Sequence, residues 1–153
     1  MHRVSLLTVA AGLLLSVQVP AFGQANPFAS GAERYYKGGS ARVTLTGAFD
    51  FDGELPLDPK ASYTSDDGQT WIVYGDQTPG ELNVIFTYSE YGYGLGVSDG
   101  SRVAMAEEDM CEAELEVTPT TVTGRYTCPS VDSGGSRVNM APVSITIEFT
   151  AGS

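Results

Sequence analysis

The side chains of this sequence that could do chemistry are carboxylates and one pair of cysteines; histidine is nearly absent. The single histidine, His2, lies in the N-terminal leader. Ser–His–Asp and Cys–His mechanisms need an imidazole to take the nucleophile's proton, so loss of the leader excludes both. A zinc site built on histidine or free cysteine goes with them. Carboxylates gather at Asp50, Asp52 and Glu54, at Asp66 and Asp67, and at Glu107, Glu108 and Asp109. Calcium takes several hard oxygen ligands, which makes Asp50, Asp52 and Glu54 the candidate calcium set; no other cofactor is indicated. None of these runs has the spacing of a calcium-binding loop, and solvated surface acid is the reading with more weight. Two carboxylates could also flank a glycosidic bond. A small β-domain offers little cleft for that, so glycoside hydrolysis ranks last and the expectation is not an enzyme.

The cysteines specify structure instead. Placing Cys111 opposite Cys128 sets Ala113 against Tyr126, Leu115 against Gly124 and Val117 against Val122. Glu112, Glu114 and Glu116 then face Thr127, Arg125 and Thr123 on the other side, and Thr118 to Thr121 turn the corner. Strand side chains alternate faces with period two, so one register sorts the apolar and polar sets together. This predicts a β-hairpin with a Cys111–Cys128 disulfide, and with it an oxidising compartment.

The start of the chain agrees. His2 and Arg3 precede an apolar run, Val4 to Val19, and then Pro20, Ala21, Phe22 and Gly23. This is the anatomy of a secretory signal peptide over residues 1–23, with Ala25 as an alternative cut site. The run is short for a bilayer, so the mature protein is not expected to span a membrane. It should be secreted, periplasmic or held at the cell surface. Removing 1–23 takes away Arg3 and no acid, leaving the mature chain one unit more negative than the full sequence's −11. Phosphate contacts need clustered Lys and Arg, so nucleic acid is an improbable partner. The acidic surface serves solubility.

The rest reads as one domain. Residues 24–40, rich in Gly, Ala and Ser, form an expected flexible leader. Residues 41–153 are expected to fold as an antiparallel β-sandwich or small barrel of about eight or nine strands. Strands are predicted from Arg42 to Phe51 and near Lys60–Thr64, Thr70–Gly75, Glu81–Ser89, Tyr91–Val97 and Arg102–Met105. The disulfide hairpin follows, then a last strand from Pro142 to Thr150 that turns Val143, Ile145, Ile147 and Phe149 inward. Ala106, Met110, Ala113 and Val117 also fit a helical stripe, but the unbroken alternation after Cys111 limits helix to one turn near Glu107–Met110. Between Tyr91 and Val97 every even position is glycine, so one strand face is bare. A tight turn at Asp99 and Gly100 would bring Val103 and Met105 onto that face. Such a face admits a ligand or is filled by bulky neighbours, and the second is the stronger expectation.

Thr64, Asp66, Gly68, Thr70 and Trp71 stand in the spacing S/T-x-D-x-G-x-T-W. This resembles the Asp-box of sialidases and related propeller proteins. The resemblance implies a hairpin turn in which the Asp ties down backbone amides, Gly permits the bend and Trp anchors the hairpin in the core. The box stands away from the catalytic centre in that family, so it brings no active-site residue. The segment from Val122 to Cys128 and the final strand through Phe149 are similar to the tail of small exported bacterial domains, including mycobacterial small lipoprotein antigens. Those carry a lipid-bearing cysteine, which is absent here.

Function is not written in the motifs. Trp71, Tyr74, Tyr88, Tyr91 and Tyr93 supply aromatic area that could hold a carbohydrate or a protein segment, although strand alternation would put most of them in the core. The expectation is a non-catalytic binding or surface-interaction module. The alternative is an envelope protein that assembles through strand edges.

Overall fold

The computed structural model describes residues 26–28, 32–89, 92–135 and 141–153. Residues 1–23, predicted as a signal peptide, the expected cut sites and Tyr91 lie outside the described residues. Alternation of apolar and polar side chains produces strands nearly everywhere: β1 (Arg34–Tyr35), β2 (Gly38–Gly47), β3 (Phe51–Pro56), β4 (Tyr63–Thr64), β5 (Thr70–Tyr74) and β6 (Asn83–Ser89). They continue as β7 (Gly92–Ser98), β8 (Arg102–Glu107), β9 (Glu112–Val117), β10 (Thr121–Val131), β11 (Ser133–Gly135) and β12 (Val143–Gly152). A single 3-10 turn, Glu108–Met110, joins β8 to β9, where one helical turn was predicted.

Two antiparallel sheets face each other, as a β-sandwich requires. One runs β1-β4-β5-β6-β7-β8-β11 and the other β3-β2-β12-β10-β9. At the centre of the five-stranded sheet, Val143, Ile145, Ile147 and Phe149 of β12 all point inward and are buried, as the alternation predicts. Phe86, Tyr126 and Phe149 form the aromatic heart, with ring centroids 5.2 to 6.0 Å apart. The predicted hairpin register holds pair by pair, from Val117 opposite Val122 to Glu112 opposite Thr127. Cys111 and Cys128 are disulfide-bonded with their Cα atoms 4.2 Å apart.

Several expectations change. Twelve strands are described, not eight or nine, because β1 and β11 hold only two or three residues and leave no readable period, and β3 is a strand of its own. Arg42 to Phe51 is not one strand: the chain turns at Ala48–Asp50, and Phe51 returns in β3 opposite Leu45. The stretch predicted as strand at Lys60–Thr64 is turn until Tyr63. Residues 24–40 do not form a separate leader where they are described. Phe28 and Tyr36 are buried in the core, and β1 pairs with β4. The apolar area of these two rings outweighs the Gly-rich composition around them. The β7–β8 turn centres on Gly100 and Ser101 instead of Asp99 and Gly100, closed by the Asp99 amide donating to the Arg102 carbonyl at 3.2 Å. Val103 and Met105 still reach the glycine face, opposite Ser98 and Gly96.

Candidate functional site

The segment Thr64 to Trp71 decides which side chains face outward. Thr64 and Thr70 are opposite each other and buried. Their hydroxyls share a 2.8 Å hydrogen bond, and the Tyr36 hydroxyl joins Thr64 at 2.8 Å. With these threonines inside, alternation turns Tyr63 and Trp71 to the outer face of the seven-stranded sheet. The turn itself is tied by Asp67: the Gln69 amide donates to its carboxylate at 3.2 Å, and the Ser65 hydroxyl donates at 2.5 Å. These bonds hold the Asp67 carboxyl below the usual carboxylate range, the Ser65 contact contributing most. Asp66, the motif aspartate, does not carry that role. Nor does Trp71 anchor the core; it is half-buried outside, stacked on Tyr63.

Pairing of β1, β4 and β5 aligns Tyr35, Tyr63 and Trp71 in one cross-strand row. Their ring centroids are 6.4 and 5.1 Å apart, with interplanar angles of 33° and 25°. The shorter spacing is close to the roughly 4.8 Å between neighbouring strands, so the Tyr63 and Trp71 rings stand upright and stack along the sheet. One face of Trp71 meets Tyr63, and the other looks over Thr87 and Gly94, the next residues in the row. A parallel row runs Val73, Ile85, Gly96 and Met105. Among the described outward positions of β4 to β8, only Glu107 carries a charge. The aromatic end is open to solvent, Tyr35 being 56% exposed.

The glycine face belongs to this surface. Met105 folds over Gly96, where a Cβ would come within 2.8 Å of its sulfur, and Thr87 flanks Gly94 at 3.0 Å. Bulky neighbours therefore occupy part of the bare strip, the outcome weighted more heavily from sequence.

Charge is concentrated on the opposite side of the molecule. Across the outer face of the five-stranded sheet, Glu54, Arg42, Glu148, Arg125 and Glu114 form one alternating row. Arg42 pairs with Asp52 at 2.6 Å and Arg125 with Glu148 at 2.9 Å. The candidate calcium residues are drawn into this arrangement. Asp52 is engaged by Arg42 and accepts from the Thr44 hydroxyl at 3.3 Å, Glu54 lies opposite Arg42, and Asp50 sits in the turn before β3. Among the described residues no three His, Cys, Asp or Glu side chains converge in a metal-holding group.

Of the four aromatic candidates among the described residues, only Trp71 stands on the outer face. Tyr74 is fully buried and its hydroxyl donates to the Thr150 carbonyl at 2.9 Å. Tyr93 packs edge-on against Tyr126 at 5.0 Å, and Tyr88 packs against Phe28 at 5.0 Å. Burial pushes the Tyr74 and Tyr126 hydroxyls far above their ordinary range, and burial with the nearby Glu108 charge pushes Tyr93 up to about 12. Tyr35 and Tyr63 were missed. Closing the hairpin on Thr64 and Thr70 would have found Tyr63 opposite Trp71. No sequence signal points to Tyr35, whose strand is two residues long and distant in the chain.

No family model, curated protein or solved structure matches this chain. Upright aromatic rings beside a low strip of Thr87 and Gly94 can stack on a flat ligand.

Proposed function

We propose that this chain is an exported, non-catalytic binding module that holds an uncharged carbohydrate against the outer face of its seven-stranded sheet. The observation that carries this reading is the stack Tyr35, Tyr63, Trp71, which ends beside the low strip at Thr87 and Gly94. A pyranose has an apolar face of C–H groups and a polar edge, the counterpart of an aromatic ring flanked by hydroxyls and backbone. The charges on this row stand at its two ends, Glu33 accepting from the Tyr35 hydroxyl at 3.1 Å and Glu107 opposite Gly94, and both are acidic, so the face suits a neutral ligand and repels an anionic one. Export is supported by the disulfide, which belongs to oxidising compartments, and by the apolar N-terminal run. Among the described residues no helix is long and apolar enough to cross a membrane.

Assembly of copies through sheet edges is the weaker reading. Edge strand β9 points Glu112, Glu114 and Glu116 to one face, and two such edges would oppose like charges.

A glycan array followed by affinity electrophoresis in soluble polysaccharide tests the proposal. At least one neutral glycan should retard the protein, and Trp71→Ala or Tyr63→Ala should weaken retention by roughly tenfold. Failure of every neutral glycan, or unchanged retention in both variants, rejects it.

A further inference from the structure

At the other open end of the sandwich lies a cleft with a different chemistry. Its volume is about 510 Å3, within the range of small-ligand pockets. It opens between the inner side of edge strand β3, the β5–β6 loop and the β7–β8 turn. The half-buried side chains of Phe51, Leu55 and Leu82 form its apolar walls. Phe51 lines the cleft without filling it because its ring lies back over Gly53, where an added Cβ would sit 2.8 Å from the ring tip.

The rim is braced. The Gly75 amide donates to the Pro56 carbonyl at 2.8 Å, and the Gly80 amide to the Asp99 carbonyl at 3.1 Å. Arg102 closes the base. Its guanidinium lies 4.8 Å above the Phe49 ring and donates to the Ala48 carbonyl at 2.8 Å and to Asp99 at 2.7 Å. Burial acts to raise the Asp99 carboxyl, but the hydrogen bonds from Arg102 and Ser101 together outweigh it and hold that group well below the usual range. Arg102 is thereby neutralised by a carboxylate of its own turn. Three further carboxylates, Asp50, Asp76 and Glu81, line the same cleft with no second cation among its lining residues.

We infer that this cleft binds a small organic cation with an apolar body, of the alkylammonium type. The hydrocarbon would lie between Phe51, Leu55 and Leu82, and the ammonium would stay at the rim, in the negative field that the exposed Asp50, Asp76 and Glu81 supply without converging on one point. Apolar contact supplies most of the affinity, and the carboxylates select the sign of the head group. The site is separate from the aromatic face and does not depend on the carbohydrate reading.

The experiment compares hexylammonium, hexanol and hexanoate by isothermal titration and ligand-observed NMR on the intact disulfide-bonded protein. Hexylammonium should bind at least about tenfold more tightly than hexanoate, with hexanol between them, and raising salt should narrow the gap. The exposed double variant Asp76→Asn, Glu81→Gln should bring hexylammonium down to the level of hexanol. Gly53→Val should drive the Phe51 ring into the cleft and abolish binding of all three, with folding checked by near-ultraviolet circular dichroism. Trp71→Ala should change nothing here. Hexanoate binding as well as hexylammonium, no saturable binding below roughly 10 mM, or an unaltered preference in the double variant each overturns the inference. If Gly53→Val does not fold, the double variant decides.

Discussion

The ring of Phe149 lies on the α-carbon of Gly124, its partner across the β10–β12 ladder, in the space where any β-carbon would have to go. The contact is inside the core, next to Tyr126 and Phe86, so the ring has nowhere to retreat. Gly124→Ala should therefore cost about 1–3 kcal/mol in urea unfolding, the usual penalty of overpacking. Gly96→Ala is the contrast. There the obstruction is the end of the Met105 side chain, which is 60% exposed and free to swing aside. Its cost should stay within about 0.5 kcal/mol. Equal losses in the two variants would show that the difference between a trapped ring and a mobile thioether does not govern these sites.

Joining Cys111 to Cys128 closes a loop with a sequence separation of 17. Replacing both by serine should lower stability by roughly 3 kcal/mol in the chain-entropy view, a drop on the order of 10 °C in melting temperature. The far-ultraviolet spectrum should stay that of a β-protein, because the pairs from Val117–Val122 to Glu112–Thr127 do not depend on the sulfurs. An unchanged melting temperature would contradict a bridge in the native protein.

Tyr126 is completely buried, yet its hydroxyl has no hydrogen-bond partner. A buried polar group left unpaired costs about 1–3 kcal/mol. Tyr126→Phe keeps the ring contacts with Phe86, Tyr93 and Phe149 and removes that cost. Chemical denaturation should find the variant about 1 kcal/mol more stable. Destabilisation would mean that the hydroxyl is satisfied in solution.

Alkali should unfold the protein through its interior tyrosines. Tyr74, Tyr93 and Tyr126 all have raised pKa values, chiefly from burial, that of Tyr93 reaching about 12. In the unfolded chain a tyrosine loses its proton near pH ~10. Above that pH the folded state holds more protons than the unfolded state, so stability is intact below pH ~10 and falls as pH climbs through 12. Melting temperature measured between pH ~8 and ~12 should decline only above ~10. Tyr93→Phe should soften the slope, and an identical slope in that variant would remove Tyr93 from the account.

Sequence alone determined the elements whose pattern is local. Period-two alternation from Glu112 to Cys128 and from Val143 to Phe149 carries both register and facing, because each residue's side is set by its neighbours along the strand. The disulfide follows from the same register. What only the tertiary structure decided is which tyrosines are free. Tyr74, Tyr88 and Tyr93 share a strand composition with Tyr63 and Trp71, yet Tyr74 and Tyr93 meet the opposing sheet, Tyr88 meets Phe28, and the last two meet solvent. Alternation tells that residues lie on opposite faces; it does not tell which face a second sheet will cover. That choice rests on contacts between distant segments, such as Phe28 on Tyr88 or β1 on β4, whose cost and reward depend on the whole packed arrangement.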